Sequence, residues 1–224
     1  MCGRFANAIP PQILMDFFAL PETPTIPLHW NIAPSQTVPA IKSAGEETRQ
    51  LTMARWGLIP HWAKDTTIGN RLINARSETV HEKPAFRKAF RARRCLVPAS
   101  GFYEWAKTAS KRVPYYISMK DGVPMALAGI WDSWDTPEGE VLESFSILTT
   151  AANRLLQPIH DRMPVICQPA DFTLWLDQSV TDPAKLRPLL QPCPAEILQS
   201  WPVSTLVNNP RHDSAECIQP VTKA

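Results

Sequence analysis

The chain has 224 residues, 44% hydrophobic and 20% charged, with a formal net charge of +2. That is globular material with enough length for a sizeable core. No run of ~18 apolar residues exists to cross a membrane, no charged-then-apolar leader opens the chain, and the weak positive balance alone does not announce a nucleic-acid binder.

Proline is abundant, 23 residues against 8 glycines, about twice its usual ~5% share. Short elements joined by stiff turns are expected. Pro10-Pro11 starts and Pro21 stops an amphipathic helix over Pro11 to Leu20. A Pro-rich link follows, ending in a strand at Val38 to Ile41. Arg49 to Trp56 alternates and reads as a strand. GLIPHWAKD is a loop, and Glu82 to Arg93 presents Ala85, Phe86, Ala89 and Phe90 on one helical face. CLVPASGFYEWA is strand-like on both sides of Pro98 to Gly101. Val113 to Met119 and Pro124 to Trp131 flank Asp121-Gly122, a hairpin turn signal. Strands are expected at Phe145 to Thr150, Val165-Ile166 and Trp201 to Val207, with a helix at Ala170 to Asp177. No repeat or linker divides the chain. The expectation is one α+β domain over 1–224, with a strongly bent, barrel-like, mostly antiparallel sheet and peripheral helices.

Five cysteines with wide spacing and no C-x-x-C pair indicate neither a metal site nor a disulfide framework. Cys2 stands apart from the other four. A small second residue permits removal of Met1, which leaves an α-amine and a thiol on one residue. Such an aminothiol serves as an N-terminal nucleophile or as an aldehyde trap that closes a thiazolidine. A chance cysteine on a frayed terminus is the plain alternative. His160, in PIHDRMP between Pro158 and Pro164, is either a buried, hydrogen-bonded histidine or a ring placed for general acid–base work. Glu104 shares a strand face with Phe102, as an edge residue or as a carboxyl in a cleft. Asn74, Arg76 and Glu78 in INARSET share a face, which is either a polar sheet edge or a site offering an amide and a guanidinium. Most of the eight tryptophans belong to a core, with Trp131, Trp134 and Trp175 at core or rim. Those in Pro-stiffened loops near arginines also suit single-stranded nucleic acid, and the basic run Arg87 to Arg94 reads as a solvated helix face or as a track for a nucleic-acid backbone.

Together MCGRF, WNIAPSQ, RWGLIPHW, INARSET, VPASGFYEW, IHDRMPV and CIQPV resemble, in order from Met1 to Val221, the SRAP family (SOS response-associated peptidases). The resemblance implies sensing of abasic sites in single-stranded DNA and a covalent DNA–protein crosslink that shields the lesion. It implies Cys2 as the crosslinking residue after loss of Met1, and Asn74 as the holder of the amine and lesion sugar. Glu104 and His160 become the acid–base pair. Arg4, Arg76 and Arg162 become phosphate contacts, and Asn31, Pro34, Trp56 and Trp62 line the DNA groove. The peptidase name fits self-removal of Met1, and a lyase side reaction is possible chemistry at the same imine. No cofactor or metal is implied. A monomer in the cytoplasm, nucleoid-associated if bacterial, is expected. A non-covalent single-strand or modified-base reader and an N-terminal-nucleophile peptidase stand as the alternatives.

Overall fold

The computed structural model describes residues 2–45 and 48–221. Met1, whose removal the resemblance implies, lies outside them. The elements run β1 (Phe5–Asn7), α1 (Pro11–Phe18), β2 (His29–Ile32), β3 (Thr37–Gly45), β4 (Thr48–Trp56), β5 (Asn74–Arg76), α2 (Arg87–Ala92) and β6 (Arg94–Ala99). After them come β7 (Gly101–Lys107), β8 (Arg112–Met119), β9 (Met125–Asp135), β10 (Val141–Ala151), β11 (Arg162–Pro164) and β12 (Ile166–Cys167). α3 (Phe172–Leu176), α4 (Pro183–Leu186) and β13 (Leu198–Pro202) complete the series, with short 3₁₀ turns between.

Five strands close on themselves. β10 pairs with β4, β4 with β3, β3 with β6, β6 with β9, and β9 returns to β10. Closure removes the free edges that an open sheet exposes. Only the contacts of β10 with β4 and β5 are parallel; the rest are antiparallel. A second, antiparallel sheet has the order β13-β8-β7-β1-β2.

Side-chain alternation explains why both sheets share one core. Val38 and Ala40 of β3, with Phe145 and Ile147 of β10, pack with Phe5, Phe102 and Ile117 of the second sheet. The opposite set, including Ile41, Leu96 and Leu148, packs under the helices against Leu14, Phe18, Phe90 and Trp175. No helix of the described chain is long and apolar enough to span a membrane.

Several expected elements shift for visible reasons. α1 stops at Phe18, where Ala19 turns left-handed at φ 50° and its N–H bonds back to Asp16. α2 begins only at Arg87, because Pro84 disfavours helix in the residues before it. β2 emerges from the Pro-rich link, paired with β1. The helix at 170–177 divides into a 3₁₀ turn and α3. The short strand expected at Val165-Ile166 resolves into β11 and β12 on either side of Val165. The late strand moves to Leu198–Pro202, and a 3₁₀ turn takes over at Thr205. Asp121-Gly122 does turn, with Gly122 at φ 75°, but it makes no hairpin. β8 has both edges filled by β7 and β13, while β9 joins the barrel. The turn is a crossover between sheets.

Gly57 shapes the loop toward the site. Its φ is 123°, and a Cβ there would sit 2.6 Å from the Gly69 carbonyl oxygen. Gly57→Ala is expected to cost about 1–3 kcal/mol from backbone strain, read as a lower urea midpoint. An unchanged midpoint would show that the loop yields freely.

Candidate active site and nucleic-acid interface

The second sheet and the barrel each contribute half of the site. β1 pairs Phe5 with Phe102 of β7, and the Tyr103 N–H donates to the Arg4 carbonyl at 3.0 Å. This register draws Cys2 alongside β7. Two residues beyond Phe102, on the same strand face, stands Glu104. From the barrel, β5 lies parallel to β10 with Asn74 opposite Ile147. The Asn74 side-chain N–H₂ donates to the Cys2 carbonyl at 2.8 Å. Its Oδ1 is buried without a hydrogen-bond partner among the described residues.

His160 sits in the loop between β10 and β11. Its own N–H bonds to the Leu156 carbonyl at 2.8 Å, and the Ala152 N–H bonds to the Asp161 carbonyl at 3.0 Å. Nδ1 accepts the Arg162 backbone N–H at 2.9 Å. An Nδ1 that accepts leaves the proton of the neutral ring on Nε2, an assignment made from the hydrogen-bond geometry. The Asp161 carboxylate stands 2.9 Å from the same Nδ1, placed to receive a proton there when the ring is charged.

Cys2 and Glu104 are both buried, at 0% and 3% exposure. Burial pushes the Cys2 thiol well up, and the Glu104 carboxylate adds to the shift. Burial likewise raises Glu104 above the ordinary 4.5, with the charge of His160 pulling the other way. Glu104 is thus electrostatically coupled to both Cys2 and His160. The thiol is held un-ionised, and the carboxyl keeps its proton to a higher pH than a solvated glutamate does.

The expected DNA contacts divide sharply. Arg76 is exposed at the end of β5; its carbonyl accepts the N–H groups of Thr79 and Val80, while its guanidinium makes no hydrogen bond or ion pair among the described residues. Trp62 is 52% exposed. Pro34 is half-buried in the turn before Ser35, whose φ is 72°. Trp56 presents no stacking face: it is fully buried, packs edge-on to Phe5 at 5.1 Å, and donates to the Ile73 carbonyl. Asn31 is 1% exposed, and its amide donates to the carbonyls of Val207, Asn209 and His212. Arg4 turns inward to Asn31 Oδ1 and the Val207 carbonyl, both at 2.7 Å. Arg162 grips Glu78 with both terminal nitrogens, at 2.5 and 2.9 Å, and donates to the Thr149 carbonyl. In the basic run, Arg94 is buried and bonded to the carbonyls of Phe90, Arg91, Trp175 and Asp177. It caps α2 and faces no solvent. Sequence reading misses the Glu78–Arg162 pair because 84 residues separate its members.

Comparison with known proteins agrees with this architecture. The family model for SOS response associated peptidase (SRAP) matches residues 1–210. The chain is 44% identical to abasic site processing protein YoqW of Bacillus subtilis, covering 98% of this chain and 99% of that one. It is 33% identical to abasic site processing protein YedK of Escherichia coli, over 99% and 100%. A crystal structure of a protein from Bacteroides thetaiotaomicron superposes with a TM-score of 0.88 at 28% identity, over 99% and 100%. With a fold, a motif order and a family model that agree along nearly its whole length, this chain belongs to the SRAP family.

Proposed function

We propose that this protein processes abasic sites in single-stranded DNA by crosslinking itself to the lesion through Cys2 once Met1 has been removed. One observation carries the reading: Asn74 holds the Cys2 carbonyl at 2.8 Å, and the buried Glu104 couples to Cys2 and His160. The names of the relatives support the substrate. A single chain carries all four groups, so no second copy is required.

An abasic deoxyribose equilibrates with its open-chain aldehyde. In the proposed sequence, His160 moves the proton that opens the ring. The Cys2 amine adds to the aldehyde carbon, and the carbinolamine hydroxyl leaves as water with a proton from Glu104. The Cys2 thiol gives up its proton and its sulfur adds to the imine carbon. A thiazolidine and one water result. Asn74 fixes the backbone of Cys2, so the two nucleophiles approach one carbon in turn. Closing the ring removes the imine, whose β-elimination would cut the strand, and so protects the lesion.

The test is a denaturing gel of the protein with single-stranded DNA carrying one abasic site. A heat-stable shifted band is expected. A shift confined to native gels would favour a non-covalent reader. Turnover of an amide substrate without DNA would favour an N-terminal-nucleophile peptidase.

Arg76 is the first phosphate anchor in this reading, its guanidinium being exposed and unengaged beside Asn74. Arg76→Ala is expected to weaken binding and to lower the slope of log affinity against log salt by about one contact, ~0.7. An unchanged slope would remove Arg76 from the phosphate contacts.

A further inference from the structure

Outside the site just described, one cluster on the barrel wall has the makings of an anion contact. Asp132 of β9 is 2% exposed and carries a full set of partners. Its Oδ1 faces Arg93 Nη1 at 3.2 Å and accepts the Ser133 N–H at 2.9 Å. Its Oδ2 accepts both the His61 backbone N–H, at 3.1 Å, and the His61 ring at Nδ1, at 3.2 Å. One carboxylate oxygen thus clamps the main chain and the ring of the same residue. His61 remains 39% exposed at its side chain, and its Nε2 faces Lys88 Nζ of α2 at 3.5 Å. The next residue is the exposed Trp62, and the loop carrying both leads on to Asn74.

Pinning the loop does not require the ring. The backbone N–H of residue 61 reaches Asp132 whatever side chain stands there. The ring adds an outward nitrogen next to an ammonium. With the Nδ1–H tautomer assigned from the Asp132 carboxylate beside it, Nδ1 donates to that carboxylate and Nε2 is bare in the neutral ring. A phosphate oxygen arriving beside Lys88 meets that lone pair and is repelled by it. A proton on Nε2 turns the same contact into a second charged donor. The facing groups sum to +1 with a neutral ring (Asp132 negative, Arg93 and Lys88 positive) and to +2 with a protonated one. An anion between His61 and Lys88 therefore favours the protonated ring, while Asp132 supports the imidazolium from behind.

We propose that His61 and Lys88 form a second phosphodiester contact, which engages with uptake of one proton from solvent by His61. This rests on the reading of the protein as a single-stranded DNA binder and adds to it a contact remote from Cys2. DNA affinity then carries a pH dependence located at His61.

The probe is a fluorescein-labelled, undamaged single-stranded oligonucleotide, so no crosslink forms, with anisotropy read at pH 8 and pH 6. Wild type is expected to bind more tightly at pH 6, with His61 supplying about threefold of the gain, the size of one half-exposed charge contact. His61→Asn keeps a donor for Asp132 but cannot take up the proton. It is expected to keep the wild-type circular dichroism, which reports that it is folded, and to lose that threefold of the gain between pH 8 and pH 6. Lys88→Gln is expected to weaken binding at both pH values and to reduce the salt slope. If His61→Asn gains as much as wild type on acidification, or Lys88→Gln leaves the salt slope unchanged, the inference is overturned while the DNA reading stands. If wild type binds no single-stranded DNA and forms no crosslink with the abasic strand, the DNA reading falls and this contact with it.

Discussion

Cys2→Ala is expected to abolish the heat-stable crosslink to abasic single-stranded DNA while leaving binding within about twofold of wild type. The two effects separate because of where the thiol sits. It is fully buried within the core cluster, its carbonyl is held by Asn74, and among the described residues its sulfur makes one long polar contact, 3.9 Å to the Arg4 carbonyl. In the proposed chemistry, removing it takes away the nucleophile while the hold of Asn74 on the residue 2 carbonyl stays in place. Alanine is also small enough for Met1 to be removed, so the variant keeps an α-amine on residue 2. That amine still reaches the aldehyde, but the imine now has no sulfur to close on it. Strand scission by β-elimination is therefore expected to rise as the crosslink disappears. Both products are read on one denaturing gel. A residual heat-stable band would point to another nucleophile, and a parallel loss of binding would make Cys2 structural. An intact-mass measurement of each protein confirms that residue 2 carries the free amine.

Glu104→Gln has the second-largest expected effect. Gln keeps the size and a hydrogen-bonding end but cannot donate the proton that departs with water. General-acid loss slows such steps by roughly 10²–10⁴-fold, and single-turnover crosslinking rates are expected to fall in that range with DNA affinity unchanged. Wild-type rates should decline as pH rises through the raised value of Glu104, and this limb should vanish in the variant. The same shift has a stability consequence of definite sign. Burial makes the folded protein hold this proton to a higher pH than the unfolded chain, which releases it near 4.5. The unfolded state then binds fewer protons, so stability falls as pH rises from there through the folded value. Glu104→Gln removes that fall. The variant is expected to melt higher than wild type at pH 8 and level with it at pH 4. Melting below wild type at pH 8 would mean that the ionised carboxylate is held by neighbouring charge more than it is penalised by burial. Equal losses of binding and crosslinking would move Glu104 among the binding residues.

Local sequence signals single out individual candidate residues. Cys2 beside Met1, Glu104 two residues past Phe102 on a strand, and His160 between two prolines were each marked by their immediate neighbours. Their convergence came from the order of motifs matching a family, because strand alternation alone leaves Glu104 equally at home on a solvated edge. Long-range pairing was not legible. Nothing near Arg162 in the chain shows that Glu78 occupies its fork, and nothing near Arg4 shows that Asn31 and Val207 turn it inward. Trp56 and Trp62 stand six positions apart in similar surroundings. Burial separates them, one in the core against Phe5 and the other in solvent. The turn at Asp121-Gly122 carries the signature of a hairpin because the backbone demand is the same. Whether the strands on either side pair depends on which edges β7, β13 and β6 have already filled.

The inward grip of Arg4 bears on timing. Arg4 sits two residues from Cys2, and both its acceptor at Val207 and the carbonyls that hold Asn31 belong to the stretch from Val207 to His212. Asp213 adds a further tie to the backbone of Trp30 and Asn31. Val207 lies 203 positions after Arg4 in the chain, so during synthesis the amino terminus gains these partners only after that length has been made. In the proposed chemistry, an aminothiol exposed before that point would meet aldehydes without its pocket, so the order of Met1 removal and folding would set how much of the trap stays unused.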